Sequence, residues 1–258
     1  GGGVDSLVKF CRHPCTPAET RRLILRSLAV LCGVSKGCLQ FLALGGFEVV
    51  VSTLNGGSTA CAVEAAGLLT QLTNPAHSYV HINNMEPIIT RLLDVLDECS
   101  TAEAVLLVTA ALSNISQNEP DLLYTRNAVV RLILAYKRKD CATIFVQEQL
   151  VTIFSRMAAR KYEDALVAQG AVPILLEMLS VTDATHSDYC RRIRYKAAVC
   201  VGTLAASGIG LKALYNNHAY PILCHVLEME NSTSNPMNMI CSNIKAKLEN
   251  KYQIESAV

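Results

Sequence analysis

The sequence contains no tryptophan, and aromatic residues make up only 5% of its 258 residues. Charged residues are also scarce, at 17%, whereas hydrophobic residues reach 51%. Such a composition excludes a chain that is disordered over most of its length. A core without large aromatic side chains must be built from Leu, Ile, Val and Ala, a set that favours packed helices.

The chain also lacks an excess of charge of either sign. Its formal net charge is +1, which gives no general attraction to nucleic acid or to an anionic membrane. No apolar run approaches the roughly 18 residues that a membrane-spanning helix needs. We therefore expect no nucleic-acid partner and no membrane insertion.

No Cys-x-x-Cys pair occurs among the 11 cysteines. They stand singly in apolar stretches such as residues 198–201, which is typical of buried thiols in a reducing compartment and predicts a cytoplasmic protein. The tightest grouping, Cys11, His13 and Cys15, has no second pair of ligands at a spacing usual for tetrahedral zinc. We predict neither a metal site nor a cofactor.

No catalytic pattern can be recognised. The glycines at 1–3 and 56–57 are not followed by the Lys-Ser/Thr pair of a phosphate-binding loop. No Ser, His and acidic residue recur at a spacing that would force them together. We predict a binding scaffold and not an enzyme.

The sequence does contain an internal repeat. Six segments align without gaps, and they begin at residues 2, 45, 84, 127, 170 and 218, so that the spacings are 43, 39, 43, 43 and 48. A period near 43 lies in the range of roughly 40–47 residues that is typical of armadillo and HEAT repeats.

Three columns of this alignment have a physical reason. The opening residues are types that tolerate a left-handed backbone at a helix end: Gly2, Gly45, Asn84, Asn127, Gly170 and His218. Five residues later an apolar column follows: Leu7, Val50, Ile89, Leu132, Leu175 and Leu223. A second apolar column lies four residues before the last five openings: Phe41, Val80, Leu123, Leu166 and Leu214. Each unit is predicted to hold a short helix, a sharp turn and a second helix.

The later part of each unit is predicted to form a third, longer helix rich in small residues, as at 65–69 and 197–201. Capping signals mark where such helices begin, at residues 16–19, at 100–103 and at Asn235-Pro236. Small side chains allow the third helices of neighbouring repeats to pack with their backbones close together.

Three helices per unit, with Gly-Ala-Val-Pro-Ile-Leu-Leu at 170–176 and Ala-Leu-Ser-Asn-Ile-Ser at 111–116, resemble the armadillo repeat over essentially the whole chain. The resemblance implies an all-α fold, a right-handed superhelical solenoid of about six armadillo-type repeats, with the third helices lining a concave groove. We expect one armadillo-repeat domain over residues 1–250 and a flexible tail over 251–258.

In nuclear-import adaptors of this family, the groove carries ladders of Trp and Asn, and a chain without Trp cannot have that array. The amides at the aligned ladder position, Gln71, Asn114 and Asn243, are able to clamp the backbone of a bound peptide. Arg191 and Arg194 would share a face of a helix and receive an acidic peptide. The alternative is that these amides and arginines are ordinary polar side chains in contact with solvent and bind no partner.

The run of the whole chain and its ending, Glu-Ser-Ala-Val at 255–258, resemble the armadillo domain of the Inscuteable family of polarity adaptors. The resemblance implies an adaptor at the cell cortex that links the polarity complex to the spindle-orientation machinery in asymmetric cell division. The implied partners are a tetratricopeptide-repeat spindle-orientation protein and a PDZ-containing polarity scaffold, for which Ser256 and Val258 fit the pattern of a PDZ ligand. The alternative is a regulatory armadillo module of a larger enzyme, with a small ligand or peptide in its groove.

Overall fold

The computed structural model of the protein describes residues 2–77, 82–229 and 235–254. Within these ranges the chain forms sixteen helices and no strand, so the predicted all-α class is confirmed. The helices are α1 Gly3–Arg12, α2 Ala18–Leu31, α3 Ser35–Ala43, α4 Gly46–Gly56, α5 Thr59–Leu72, α6 Glu86–Glu98, α7 Ala102–Ile115, α8 Pro120–Thr125, α9 Ala128–Tyr136, α10 Ile144–Ala159, α11 Glu163–Ala168, α12 Ala171–Met178, α13 Ser187–Leu204, α14 Gly208–Asn216, α15 Ala219–Met229 and α16 Pro236–Tyr252.

The sharp turns lie where the repeat predicts them in four units. Gly45, Asn127, Gly170 and His218 have φ values of 76°, 53°, 90° and 58°, and each follows a short helix and precedes the next helix. The prediction is wrong for Gly2, whose φ is −78°. It is also wrong for Asn84, which has no positive φ.

Asn84 has a different local role. Its Oδ1 accepts a hydrogen bond from the backbone N–H of Glu86 at 3.3 Å, where α6 begins. In the described parts of the connection between α5 and α6, no helix precedes Asn84.

Both apolar columns form the core of the repeats. The residues of the first column are fully buried at five of six positions: Val50, Ile89, Leu132, Leu175 and Leu223. Leu7 is only partly buried. The residues of the second column are buried wherever they are described: Phe41, Leu123, Leu166 and Leu214; Val80 lies outside the described residues. The columns are buried because each helix packs its apolar face on neighbouring helices.

All three capping signals lie where helices begin, since α2 begins at Ala18 within residues 16–19, but only two of them cap the helix with a side-chain acceptor. Thr101 Oγ1 accepts a hydrogen bond from Ala104 N–H at 3.2 Å at the start of α7, and Asn235 Oδ1 accepts one from Met237 N–H at 3.0 Å at the start of α16. The expectation for Thr16 is wrong. Its hydroxyl donates to Phe10 O at 2.7 Å and is thus used to close the α1–α2 turn.

Internal contacts divide the chain into two compact units. The first contains residues 1–122 and 135–141, and the second contains 123–134 and 142–258. In the first unit the third helices α2, α5 and α7 pack in sequence, and in the second unit α10, α13 and α16 do the same. The prediction of one domain over residues 1–250 with a tail from 251 stays a prediction; α16 ends at Tyr252.

Small residues allow the close packing of third helices in both units. A Cβ atom on Gly67 of α5 would stand 3.3 Å from Leu107 Cδ2 of α7, and one on Gly202 of α13 would stand 3.1 Å from Ile240 Cγ2 of α16.

Among the described residues no single helix is long and apolar enough to cross a membrane; α3 and α4, which are bent by 77°, meet that criterion only as a pair.

Candidate functional site

The third helices of the second unit carry a partly apolar exposed surface. Tyr195 and Val199 of α13 are 45% and 37% exposed, and Met239 of α16 is 65% exposed. In the repeat alignment Thr203 of α13 occupies the ladder position that Asn243 occupies in α16, and Val199 and Met239 precede these two residues by four positions each. Residues four apart share a helix face, so the two stripes lie at equivalent places on adjacent helices. We call Arg191, Arg192, Tyr195, Val199, Met239 and Asn243 the α13–α16 surface.

The predicted pair Arg191 and Arg194 is not brought together. Arg191 is exposed and forms an ion pair with Asp188 at 3.1 Å. Arg194 is half-buried, and its Nη1 donates to Val181 O at 2.8 Å. This bond directs Arg194 towards the loop after α12. We therefore include only Arg191 in the α13–α16 surface, and the predicted role of Arg191 and Arg194 in binding an acidic peptide stays a prediction.

Sequence reasoning missed the cations that do act together. Arg192 Nε and Lys196 Nζ of α13 lie 3.4 Å and 3.3 Å from Glu148 Oε1 of α10, and Lys196 Nζ also donates to Thr152 Oγ1 at 3.1 Å. The guanidinium of Arg192 stands 4.4 Å from the centroid of the Tyr189 ring. The four-residue spacing of Arg192 and Lys196 was a usable signal, because it places them on one face.

Tyr189 is electrostatically coupled to this cluster. Burial and the neighbouring carboxylate of Glu148 both raise the pKa of Tyr189, because each disfavours a phenolate there. The ring therefore stays neutral and acts as an apolar support for Arg192.

The predicted amides differ in their availability. Asn114 is half-buried, and its Nδ2 donates to Thr70 O of α5 at 3.0 Å. Gln71 is half-buried in the last turn of α5, and its backbone carbonyl lies 3.0 Å from His77 Nδ1. Asn243 is exposed on α16. The side chain of Asn114 is thus used in a hydrogen bond that joins α7 to α5, whereas Asn243 faces solvent. Their predicted role in peptide binding stays a prediction.

A chain of ion pairs connects the third helices of the first unit. The carboxylate of Glu64 is only 4% exposed, and its Oε1 lies 2.9 Å from Arg26 Nη2 and 3.5 Å from Arg22 Nη1. Arg22 also pairs with Glu19 at 2.8 Å, and Arg26 with Glu103 at 2.7 Å. The chain runs from α2 across α5 to α7 and borders a cavity of about 290 Å³.

Three buried thiols are poor nucleophiles. Burial raises the pKa of Cys32 and of Cys200 to about 12 and that of Cys99 to about 11, because the charged thiolate is poorly solvated there. His13 Nδ1 accepts a hydrogen bond from Cys15 N–H at 3.2 Å. No group of three or more metal-ligating residues occurs in the part of the chain that the structure describes. The prediction of a non-enzymatic protein stays a prediction.

The predicted PDZ-ligand residues Ser256 and Val258 lie outside the described residues.

Helical triplets with an exposed third-helix surface define the armadillo-repeat class. Two solved structures support this. A designed armadillo repeat protein in complex with peptide (KR)4 is 17% identical, with a TM-score of 0.65 over 95% of this chain and 99% of that chain. A computationally designed armadillo repeat protein for modular peptide recognition is 17% identical, with a TM-score of 0.68 over 95% and 98%. These similarities confirm the predicted armadillo solenoid fold.

The chain belongs to the inscuteable family. The family described as "Protein inscuteable C-terminal" matches residues 1–234. The human and mouse proteins named "Protein inscuteable homolog" are each 30% identical, over 223 and 222 residues that form 79% of this chain. The matched region is 38% of each relative, so the chain spans well under half the length of these relatives. The predicted resemblance is confirmed.

Proposed function

We propose that this domain is a protein-interaction adaptor, and that it binds an extended segment of a partner protein on the α13–α16 surface. The observation that carries the proposal is the exposure of Tyr195, Val199 and Met239 at repeated positions of two adjacent third helices. Aromatic and methionine side chains of this kind provide much of the contact energy in protein interfaces. The exposed amide of Asn243 is placed to bond a peptide backbone beside them.

The charges of the surface favour an acidic and apolar segment. Arg191 and Arg192 stand at one side of Tyr195 and are both exposed, and a guanidinium group binds carboxylates through two parallel hydrogen bonds. Glu148 is the carboxylate nearest to Arg192, and its side chain is only 12% exposed. Together with Asp188, which pairs with Arg191 at 3.1 Å, it offsets two of the three positive charges of Arg191, Arg192 and Lys196, so that one remains.

We extend the proposal to the cellular role that membership of the inscuteable family suggests. In this proposal the domain acts at the cell cortex in the cytoplasm, and links the polarity complex to the spindle-orientation machinery during asymmetric cell division. One partner is a tetratricopeptide-repeat spindle-orientation protein. The other is a PDZ-containing polarity scaffold that binds the ending Glu-Ser-Ala-Val at 255–258.

The proposed binding on the α13–α16 surface is tested with two fluorescent probe peptides of equal length. One alternates Leu and Glu, and the other alternates Leu and Lys. Fluorescence anisotropy measures their binding to the 258-residue chain. We expect the Leu-Glu peptide to bind more tightly, and Met239→Ala to weaken it about tenfold, the usual effect of removing an interface anchor. Leu134→Ala is the matched control, because Leu134 of α9 is 58% exposed and lies outside the α13–α16 surface.

Equal affinity for the two peptides would contradict the proposed charge preference. Equal effects of Met239→Ala and Leu134→Ala would contradict the proposed place of binding.

A further inference from the structure

A cavity lies between the first two repeats, inside the first unit. It has a volume of about 450 Å³ and is bordered by the last turn of α1, the first turn of α2 and one side of α4. All of its walls belong to the first unit. We call it the α1–α4 cavity.

The α1–α4 cavity occupies a place that an arginine side chain takes between later repeats. In the repeat alignment Ser52 holds the position of Arg91, and Gly56 holds that of Arg138. Arg91 and Arg138 each donate to backbone carbonyl groups at the end of the second helix of the preceding repeat. Neither Ser52 nor Gly56 has a side chain long enough to do this beside α1, so the space there stays open.

Two guanidinium groups line the α1–α4 cavity without a carboxylate partner. Arg12 Nη2 donates to Gly45 O at 2.8 Å, an approach that a Cβ atom on Gly45 would block. Arg21 Nη2 makes two longer bonds, at 3.4 Å to His13 O and at 3.3 Å to Thr16 O. Within the described ranges neither arginine forms an ion pair.

Arg21 is the less satisfied of the two arginines. Its Nε is buried and has no hydrogen-bond partner in the described part of the chain. The next residue, Arg22, differs, because it pairs with Glu19 at 2.8 Å and lies 3.5 Å from Glu64. A buried donor without an acceptor is costly, so Arg21 is able to gain from an acceptor that enters the cavity.

The positive charges of Arg12 and Arg21 act on the same wall. Burial raises the pKa of the Cys11 thiol, whereas the charges of Arg21 and Arg12 lower it, so both guanidinium groups lie near this residue of α1. One carboxylate, that of Glu48, also lines the cavity, but it is exposed and forms no ion pair with a described residue. Two arginines and one glutamate leave the cavity with a net charge of +1.

These groups suit a carboxylate better than a phosphate. The hydroxyl groups of Ser52 and Thr53 both donate to Val49 O, so the charged donors for a ligand are the two guanidinium groups. A carboxylate is the usual acceptor for such a group, and its single charge balances the net +1. A phosphate ester carries a charge of about −1.5 to −2 and would be repelled more strongly by Glu48.

We propose that the α1–α4 cavity binds a carboxylate group, that of an Asp or Glu side chain of a partner protein, between Arg12 and Arg21. The cavity is larger than a carboxylate group, so the backbone that flanks the acidic residue also enters it. This site lies in the first unit and is separate from the α13–α16 surface.

NMR spectroscopy of the isotope-labelled 258-residue chain tests this proposal, because the Nε–H signals of Arg12 and Arg21 report on the cavity itself. The probe is a capped tripeptide Gly-Glu-Gly, and the capped tripeptide Gly-Gln-Gly has the same shape without the charge. We expect the Glu tripeptide to shift both signals to saturation and the Gln tripeptide to leave them unchanged. Acetate should bind more weakly than the Glu tripeptide, because it fills only part of the cavity.

Substitutions at the two arginines give the second measurement. Arg12→Gln and Arg21→Gln should each weaken binding of the Glu tripeptide about tenfold, because each removes a charged donor. Lys36→Gln is the matched control and should bind normally, since Lys36 is exposed on α3 and lies outside the cavity. Circular dichroism shows whether each variant is folded.

A substitution on the opposite wall supplies the missing carboxylate from the chain itself. Ser52 is exposed, so that it can be replaced without disturbing the core. We expect Ser52→Glu to abolish binding of the Glu tripeptide and to raise the midpoint of urea denaturation above that of Ser52→Gln. The Gln variant should still bind the tripeptide.

The absence of a saturating shift with the Glu tripeptide overturns the proposal, and so does an equal response to the Gln tripeptide. If inorganic phosphate shifts the two signals and the Glu tripeptide does not, the site takes phosphate and the proposal is wrong. Acetate that binds as tightly as the Glu tripeptide would contradict a protein partner. The test of the α13–α16 surface uses other residues, so a failure here leaves the proposed adaptor function untouched.

Discussion

At the scale of single residues, two glutamates hold neighbouring third helices together. Glu64 of α5 is bound by Arg22 and Arg26 of α2, and Glu148 of α10 is bound by Arg192 and Lys196 of α13. In both units a nearly buried carboxylate meets two cations that are four residues apart on one helix. Such pairs fix how two helices are aligned, since removing one partner leaves a poorly solvated charge.

The Glu64 interaction gives a stability prediction. We expect Glu64→Ala to lower the free energy of unfolding by about 2 kcal/mol, below the effect for a fully buried pair because Arg22 and Arg26 are partly exposed. Glu103→Ala is the control and should cost less than about 0.5 kcal/mol, because Glu103 is 68% exposed. Urea denaturation measures both. Similar losses in the two variants would show that burial of Glu64 does not matter.

The repeat columns were predictable and these ion pairs were not. A left-handed residue or a buried ladder position has a local cause, so Gly45, Asn127, Gly170 and His218 could be identified from residue type and spacing. Glu64 and Arg22 are 42 residues apart, and no local rule pairs them. The bond from Arg194 to the carbonyl of Val181 was likewise not predictable, because the two residues are 13 apart and lie on either side of a loop.

At the scale of helices, an arginine from a neighbouring repeat binds the free carbonyl groups at a helix end. Arg138, which follows α9, donates to Leu96 O at 2.6 Å, to Asp97 O at 3.1 Å and to Cys99 O, all at the end of α6. Arg91 of α6 likewise donates to Leu54 O near the end of α4 at 2.5 Å. The last carbonyl groups of a helix have no partner within it. A cation at this end is also stabilised by the partial negative charge of the helix dipole.

Removing this cap should destabilise the first unit. We expect Arg138→Met to lower the free energy of unfolding by about 2 kcal/mol, because several carbonyl groups lose a charged donor at once. Lys139→Met removes the same charge from an exposed neighbour, and we expect it to be nearly neutral. Hydrogen exchange should locate the loss of protection at the end of α6. An equal effect of both substitutions would assign the loss to net charge alone.

From sequence alone, residues 137–140 are a polar connection. The cap depends on where the turn after α9 places Arg138 relative to α6, and neither residue type nor period specifies that. The helices themselves were predictable because each needs only its own apolar face and its turn residues. The contacts between repeats needed the structure.

At the scale of the whole molecule, the period near 43 residues specifies the fold and leaves the binding surface open. Repeats stack on one another by their shared core columns. The apolar column from Leu7 to Leu223 was therefore enough to indicate the class, and the structure buries five of its six residues fully. The aligned ladder position of the third helices differs between repeats. It holds the exposed Asn243 in the last repeat, and the aligned residue of the fourth repeat is the fully buried Ile153.

The ending of the chain gives the last prediction. Helix α16 ends at Tyr252, and Gln253 follows with a left-handed φ of 52°, so the helix does not continue through Gln253. A PDZ domain binds a chain end as an added strand and holds its terminal carboxylate with backbone N–H groups. In this proposal Val258 fills an apolar pocket, and the Ser256 hydroxyl forms a hydrogen bond beside it.

Binding to isolated PDZ domains that select a Ser/Thr-x-Val ending, measured by calorimetry, tests this. We expect Val258→Asp, or one glycine added after Val258, to abolish binding, because each disrupts the pocket or the carboxylate contact. Lys251→Ala is the control and should bind normally, since Lys251 lies within α16. Helix content and binding of the Leu-Glu peptide should stay unchanged in all three. If the chain with the added glycine binds as tightly as the original, the PDZ contact is not made by the chain end.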